Sequence, residues 1–164
     1  MSILTHSLLY GLLLSLAMSI LVIGALRYNP ELMLRSYPPD IKAKYGPARP
    51  ATLRQRKWLM LLLLGVLVAV FGAAVAQLPT PTFLNAFLCA FIVMMTFNLY
   101  DLLILDWLLF GVFLPKWAIL PGTEGMAAYK DYSFAFKGFL KGCVISVVIA
   151  GLVAGLTVGI TAIF

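Results

Sequence analysis

Four long apolar runs divide the chain, and each is long enough to cross a bilayer. They cover residues 3–26, 58–78, 83–114 and 142–164. A transmembrane helix needs about 20 apolar residues, and none of the runs alternates apolar and polar positions as a membrane β-strand does. The pattern predicts an all-α membrane protein, a single domain of four transmembrane helices over residues 1–164.

Proline and charge placement mark the ends of these runs. All nine prolines fall outside them, as expected of residues that break a helix. All twelve Lys and Arg residues lie within 27–57 and 115–141. By the positive-inside rule these two loops are cytoplasmic and both termini lie on the non-cytoplasmic side. The turn at 79–82 is too short to do more than join two antiparallel helices.

Composition agrees with this architecture. Hydrophobic residues make up 63% of the chain and charged residues 11%, too apolar a balance for a soluble domain. The net charge of +6 is carried beside the apolar runs, where cations set orientation and attract anionic lipid at the cytoplasmic face. It therefore does not indicate a nucleic-acid partner. The first run lacks the basic start of a signal peptide, so we expect it to be retained.

The third run carries the most informative polar residues, Asn98, Asp101 and Asp106. On an α-helix, Asp101 lies about 60° to one side of Asn98 and Asp106 about 80° to the other, which gives a broad polar arc. Counted from Phe83, the two acids lie about 27 and 34 Å along the helix, near the cytoplasmic boundary.

One interpretation of these acids is structural. The short 79–82 turn makes the second and third runs an antiparallel pair, and this brings Arg54, Arg56 and Lys57 level with residues 104–107. Asp101 and Asp106 would then form ion pairs that lock the hairpin at the membrane surface.

The other interpretation is a ligand site, because ionisable groups inside a membrane are costly and commonly serve a function. Glu124 and Asp131, from the loop 115–141, would fold back onto the acids of the third run. Tyr129 and Tyr132 would roof the resulting polar pocket. In the same loop, Pro121 and Gly122 favour a type II turn.

Small residues recur every fourth position in the last run, at Gly151, Gly155 and Gly159. Such a stripe lets helices approach closely in lipid. We expect it to pack against the protein's own helices, with a dimer face as the alternative. A similar stripe, Gly65, Ala69 and Ala73, lies on the second run.

No pattern for a cofactor, metal or haem is present. His6 is the only histidine, and we expect it to be an ordinary interfacial side chain. Cys89 and Cys143 lie in apolar runs without a CxxC pair, so we expect small buried hydrophobes. The prolines at 38, 39 and 47 predict an extended, turn-rich first loop.

The stretches FNLYDLLILDWLLF and LPGTEGMAAYKDY resemble a family of small four-helix bacterial inner-membrane proteins to which no activity is assigned. The resemblance covers mainly the last two helices and the loop between them. It implies a bacterial inner-membrane location and no catalytic residues.

These observations leave three classes of function open. We expect the protein to be a subunit or accessory component of a membrane complex. Its partner in that complex is either another membrane protein or further copies of the same chain. The alternative is a small transporter or ligand-binding protein that uses the acidic pocket. A membrane enzyme that uses those carboxylates is the third class, and the one we favour least, because carboxylates alone define no reaction.

Overall fold

The computed structural model describes residues 2–163, and all regular secondary structure in that range is helical. Its α-helices are α1 (Ile3–Tyr28), α2 (Pro39–Tyr45), α3 (Pro50–Ala76), α4 (Phe83–Tyr100) and α5 (Tyr132–Ile163). A π-helix, Asp101–Phe113, continues α4, and short 3₁₀-helices cover Pro30–Ser36, Lys116–Ala118 and Ala127–Lys130. Four helices are long and apolar enough to cross a membrane, namely α1, α3, α4 with its π-helical continuation, and α5.

Two of the four long helices begin well before their apolar runs. Helix α3 starts at Pro50 instead of 58, and α5 starts at Tyr132 instead of 142. Backbone hydrogen bonding continues through polar sequence, and proline is favourable at the first position of a helix. The basic residues that precede the apolar runs therefore lie on helical extensions.

The first connection, residues 29–49 between α1 and α3, is not the extended segment that its prolines predicted. Pro30 and Pro39 each stand at the first position of a helix, where their fixed φ is favourable. Gly46, with a φ of 90°, ends α2. This connection is therefore compact and helical.

A buried carboxylate fixes the start of α3. Glu31 is 2% exposed, and its side chain accepts a 2.5 Å hydrogen bond from the Arg49 backbone N–H and a 2.8 Å bond from the Thr52 hydroxyl. The Arg49 guanidinium also lies 3.8 Å from it. Glu31 thus satisfies groups at a helix N-terminus, which otherwise lack partners.

Helix α4 lies centrally and packs mainly against α1 and α5, while α3 packs mainly against α1. The main core contains Leu14, Phe71, Val93 and Ala154. By contrast, large apolar side chains on all four long helices face outward: Ile20 is 71% exposed, Val68 62%, Leu84 62% and Leu152 63%. An apolar outer surface of this kind suits a bilayer.

The expectation that the glycine stripe of α5 packs against the protein's own helices is wrong. Among the described residues, no heavy atom beyond the local backbone lies within 4 Å of a Cβ placed on Gly151, Gly155 or Gly159. The inward face is the neighbouring series of small residues, in which Ser146, Ala150 and Ala154 are fully buried. Both series recur every four residues, so spacing alone does not distinguish them.

His6 is a buried side chain that joins α1 to α3 through a hydrogen bond, and not the ordinary interfacial residue that we expected. It is 7% exposed, and its Nε2 donates a 2.8 Å hydrogen bond to the carbonyl oxygen of Ala74. Tyr10 packs against the ring and accepts a 2.5 Å bond from Gln77. Because the last carbonyls of a helix lack helical partners, this bond satisfies the end of α3.

Candidate functional site

The two longer connections, 29–49 and 114–131, meet at the end of the bundle that carries the Lys and Arg residues. We call this the basic end. The buried phenol of Tyr37 donates a 2.6 Å hydrogen bond to the Ala118 carbonyl, and its ring meets Tyr129 edge-on at 5.9 Å. Burial, and then the neighbouring Tyr129, raise the pKa of Tyr37 above its ordinary value. The connections thus form a small apolar cluster of their own.

The second connection is folded around one phenol. As the sequence predicted, Gly122 has a positive φ of 82°, and the Thr123 N–H bonds the Leu120 carbonyl at 3.1 Å. The Tyr129 hydroxyl accepts a 2.9 Å bond from the Leu120 N–H and lies 2.6 Å from the Thr123 hydroxyl. These bonds hold the Tyr129 ring over the end of the bundle.

The third span changes its helical pitch where its acids begin. From Asp101 to Phe113 the backbone is π-helical, and the Leu114 N–H bonds the Leu109 carbonyl five residues earlier. In an α-helix, residues five apart lie about 140° apart around the axis. A π-helix pairs residues five apart, so Asp101 and Asp106 occupy one face in successive turns. This pitch was not foreseen from the sequence.

A cavity of about 180 Å³ lies against that face. Its walls are the π-helix, the middle of the first connection, the end of the second, the first turn of α5 and two side chains of α1. Three carboxylates line it, together with one lysine and six aromatic rings: Asp101, Asp106, Asp131, Lys130, Tyr37, Trp107, Phe110, Tyr129, Tyr132 and Phe134. The site is therefore acidic and aromatic at once.

The carboxylates of the π-helix lack partners among the described residues. Neither the Asp101 nor the Asp106 carboxylate forms an ion pair or accepts a hydrogen bond within that part of the chain. The predicted lock to Arg54, Arg56 and Lys57 is therefore not formed. Both carboxylates are instead available to whatever occupies the cavity.

Asp131 caps the start of α5 in addition to lining the cavity. It precedes α5, and its Oδ1 accepts a 2.9 Å hydrogen bond from the Phe134 N–H, an N-cap that satisfies a free donor of the helix. Its other oxygen is not engaged in this cap. The carboxylate therefore both starts α5 and borders the cavity.

Trp107 contributes a donor without an acceptor. Its indole Nε1 is buried and has no hydrogen-bond partner among the described residues. The Tyr132 ring meets Trp107 edge-on at 6.0 Å and lies against Gly111, where a Cβ would come within 2.6 Å of the ring. Gly111 is thus needed for this aromatic wall, in which Trp107 borders the cavity.

Two of the predicted site residues lie elsewhere. The Asn98 amide donates to the Phe139 carbonyl at 3.1 Å and to the Cys143 sulfur at 3.6 Å, which joins α4 to α5. Glu124 is exposed at the loop tip, where it accepts a 3.1 Å bond from the Gly122 N–H. The structure thus brings together Asp101, Asp106 and Asp131 but not Asn98 or Glu124.

Within residues 2–163, no group of three or more His, Cys, Asp and Glu side chains is arranged to hold a metal ion. Comparisons with models of protein families, with curated proteins and with solved structures found no match to this chain.

Proposed function

We propose that this chain is a multi-pass protein of the bacterial cytoplasmic membrane that binds a small organic cation in the cavity at its basic end. The observation that carries the proposal is the pair of π-helical carboxylates, Asp101 and Asp106, which line the cavity without a partner among the described residues. A carboxylate in membrane surroundings is costly unless a cation or hydrogen bonds compensate it. A cationic ligand supplies that compensation.

The aromatic walls favour an organic cation. Aromatic faces attract ammonium groups within about 6 Å of the ring centre, and rings around a cavity are a common way to hold quaternary amines. The volume of about 180 Å³ is more than ten times the roughly 15 Å³ that one water requires. The indole N–H of Trp107 has no acceptor among the described residues, and we propose that a hydroxyl or ether oxygen of the ligand accepts from it. An amino alcohol such as choline has this combination of groups.

The positive-inside rule supports a cytoplasmic position for the cavity. The basic loops adjoin it, whereas the 79–82 turn at the opposite end of the bundle carries no Lys or Arg. The ligand therefore enters from the cytoplasm or from the adjoining leaflet.

The test is direct binding to the purified protein in mild detergent, measured by calorimetry. Choline is compared with 3,3-dimethyl-1-butanol, an uncharged molecule of nearly the same shape. We expect choline to bind and the alcohol to bind at least tenfold more weakly. Asp101→Asn and Asp106→Asn should each weaken choline binding by tenfold or more, because each removes a charge from the cavity.

Asp40→Asn is the matched control, since Asp40 is an exposed acid of the first connection outside the cavity. It should leave choline affinity unchanged, and all variants should elute as the wild type does in size-exclusion chromatography. Equal affinity for choline and the alcohol would overturn the proposal. Displacement of choline by millimolar Mg²⁺, lost in the same aspartate variants, would also overturn it in favour of a metal site.

An accessory subunit is the second candidate function. The observation in its favour is that both small-residue stripes face outward, with Gly65 and Gly155 exposed and without neighbours within 4 Å among the described residues. Such stripes suit contact with another transmembrane helix. Purification in mild detergent should then retain a partner in fixed ratio, whereas a lone monomer would contradict this role.

A further inference from the structure

A second pocket lies at the basic end, where the first connection meets the start of α3. Its volume is about 310 Å³. Three cationic side chains line it, Arg35, Lys42 and Arg56, and apolar side chains that include Leu34 and Leu53 form the rest of its wall. No acidic residue is among its lining residues.

None of the three cations forms an ion pair in the described part of the chain. The ion pair formed there joins Glu31 to Arg49, which lies outside this pocket. Like charges that share a pocket repel one another, so their grouping is stabilised when an anion binds between them. Arg56 is half-buried, whereas its neighbours Arg54 and Lys57 are exposed. Arg56 therefore belongs to the pocket, whereas Arg54 and Lys57 belong to the general basic surface.

An exposed apolar strip leads from the pocket along α3. Leu53, Met60 and Leu64 lie within about 40° of one another around the helix axis. They are 45%, 43% and 54% exposed. The strip is about 16 Å long, close to half of a hydrocarbon core of about 30 Å and therefore to one leaflet. Trp58, 68% exposed, stands near its start, as an interfacial aromatic does.

We propose that this pocket binds the phosphate of an anionic phospholipid, whose acyl chain lies along the strip of Leu53, Met60 and Leu64. Guanidinium groups match the geometry of phosphate oxygens, and basic pockets beside transmembrane helices suit anionic headgroups. The apolar wall and the strip favour a lipid over free phosphate, because only a lipid covers both. This site is separate from the acidic cavity and does not depend on the function proposed for it.

The experiment measures binding of short-chain lipids to the purified full-length protein by native mass spectrometry. Dioctanoyl-phosphatidylglycerol is compared with dioctanoyl-phosphatidylcholine and with inorganic phosphate. We expect phosphatidylglycerol to bind at least tenfold more tightly than either. Arg35→Gln and Arg56→Gln should each weaken it about fivefold, since one juxtamembrane cation contributes about that factor to the binding of anionic lipid.

Arg54→Gln is the matched control, because it removes the same charge from the same helix outside both the pocket and the apolar strip. It should change affinity by less than twofold. Leu64→Ser should weaken binding of phosphatidylglycerol and leave that of inorganic phosphate unchanged.

Three results would overturn the proposal. Equal losses in pocket and control variants would show diffuse attraction to the basic surface. Equal binding of the two lipids would show that headgroup charge is not recognised. Inorganic phosphate that binds as tightly as phosphatidylglycerol would show a phosphate site without a lipid.

Discussion

The phenol of Tyr37 donates a 2.6 Å hydrogen bond to the carbonyl oxygen of Ala118, a residue 81 positions further along the chain. Both groups are buried. The bond joins the first connection to the second, and the ring of Tyr37 is also a wall of the acidic cavity. The shape of the candidate site therefore depends on a contact between two loops.

Tyr37→Phe should lower stability by about 1–3 kcal/mol, because it leaves the buried Ala118 carbonyl without its donor. The measurement is the thermal unfolding midpoint in detergent. Tyr28→Phe serves as the control, since Tyr28 is 74% exposed, and should leave the midpoint unchanged. Equal midpoints for wild type and Tyr37→Phe would show that the hydrogen bond contributes nothing net.

The same phenol predicts how stability depends on pH. Burial raises the pKa of Tyr37 above its ordinary value of 10.0, so the folded protein keeps a proton that the unfolded chain releases. This contribution is fully present below pH 10.0 and is lost as pH rises toward the folded-state value. Midpoints recorded from about pH 8 to about pH 11 should fall at the alkaline end.

Tyr37→Phe should remove part of that alkaline loss. Burial, and the nearby Glu31, also raise the pKa of Tyr45, which accounts for a further part. A Tyr37→Phe profile that falls as steeply as the wild type would contradict the assignment to Tyr37.

The four long helices were predictable because two independent signals agreed, uninterrupted apolar runs and proline-marked ends. Their starting points were not. Residues 50–57 and 132–141 are polar enough to read as loops, yet backbone hydrogen bonding extends α3 and α5 through them. Hydrophobicity reports where a helix meets lipid and not where its hydrogen bonds begin.

The candidate site was only partly predictable. Asp101 and Asp106 were recognised as acids in an apolar run, and Asp131 as an acid of the following loop that folds back onto them. On an α-helix, however, the first two lie about 140° apart, at the two edges of a broad arc. The π-helical pitch that brings them together has no signature in residues 101–113, where every residue except these two acids is apolar. Glu31 was missed because one acid in a basic loop looks like surface charge, whereas the fold buries it.

Glu31→Gln should lower stability by about 1–3 kcal/mol. The neutral amide is a weaker acceptor for the Arg49 N–H and the Thr52 hydroxyl, and it loses the charge that favours a helix N-terminus. Thermal unfolding of this variant and of the exposed-site control Asp40→Asn measures the effect. An unchanged midpoint for Glu31→Gln would mean that the start of α3 does not limit stability.

The contrast between two glycines of α5 tests the packing of the bundle. A Cβ at Gly142 would lie 2.7 Å from the Asn98 Cγ, whereas a Cβ at Gly155 meets no atom within 4 Å in the described structure. Gly142→Ala should therefore cost about 1–3 kcal/mol through overpacking, and Gly155→Ala should leave the unfolding midpoint unchanged or raise it. A lower midpoint for Gly155→Ala would indicate that this outward face is covered in the assembled protein.

Trp107 provides a spectroscopic test of the cavity. Its indole N–H is buried and has no acceptor among the described residues, so a ligand oxygen that accepts from it should change the fluorescence of this residue. Trp58→Phe and Trp117→Phe together leave Trp107 as the only tryptophan. Choline should then change the emission in a saturable way, while 3,3-dimethyl-1-butanol should not.

Asp106→Asn in the same background should shift the titration midpoint by tenfold or more, because it removes the charge that holds the cation beside the ring. Saturable binding by calorimetry without any change in Trp107 emission would place the ligand outside this cavity.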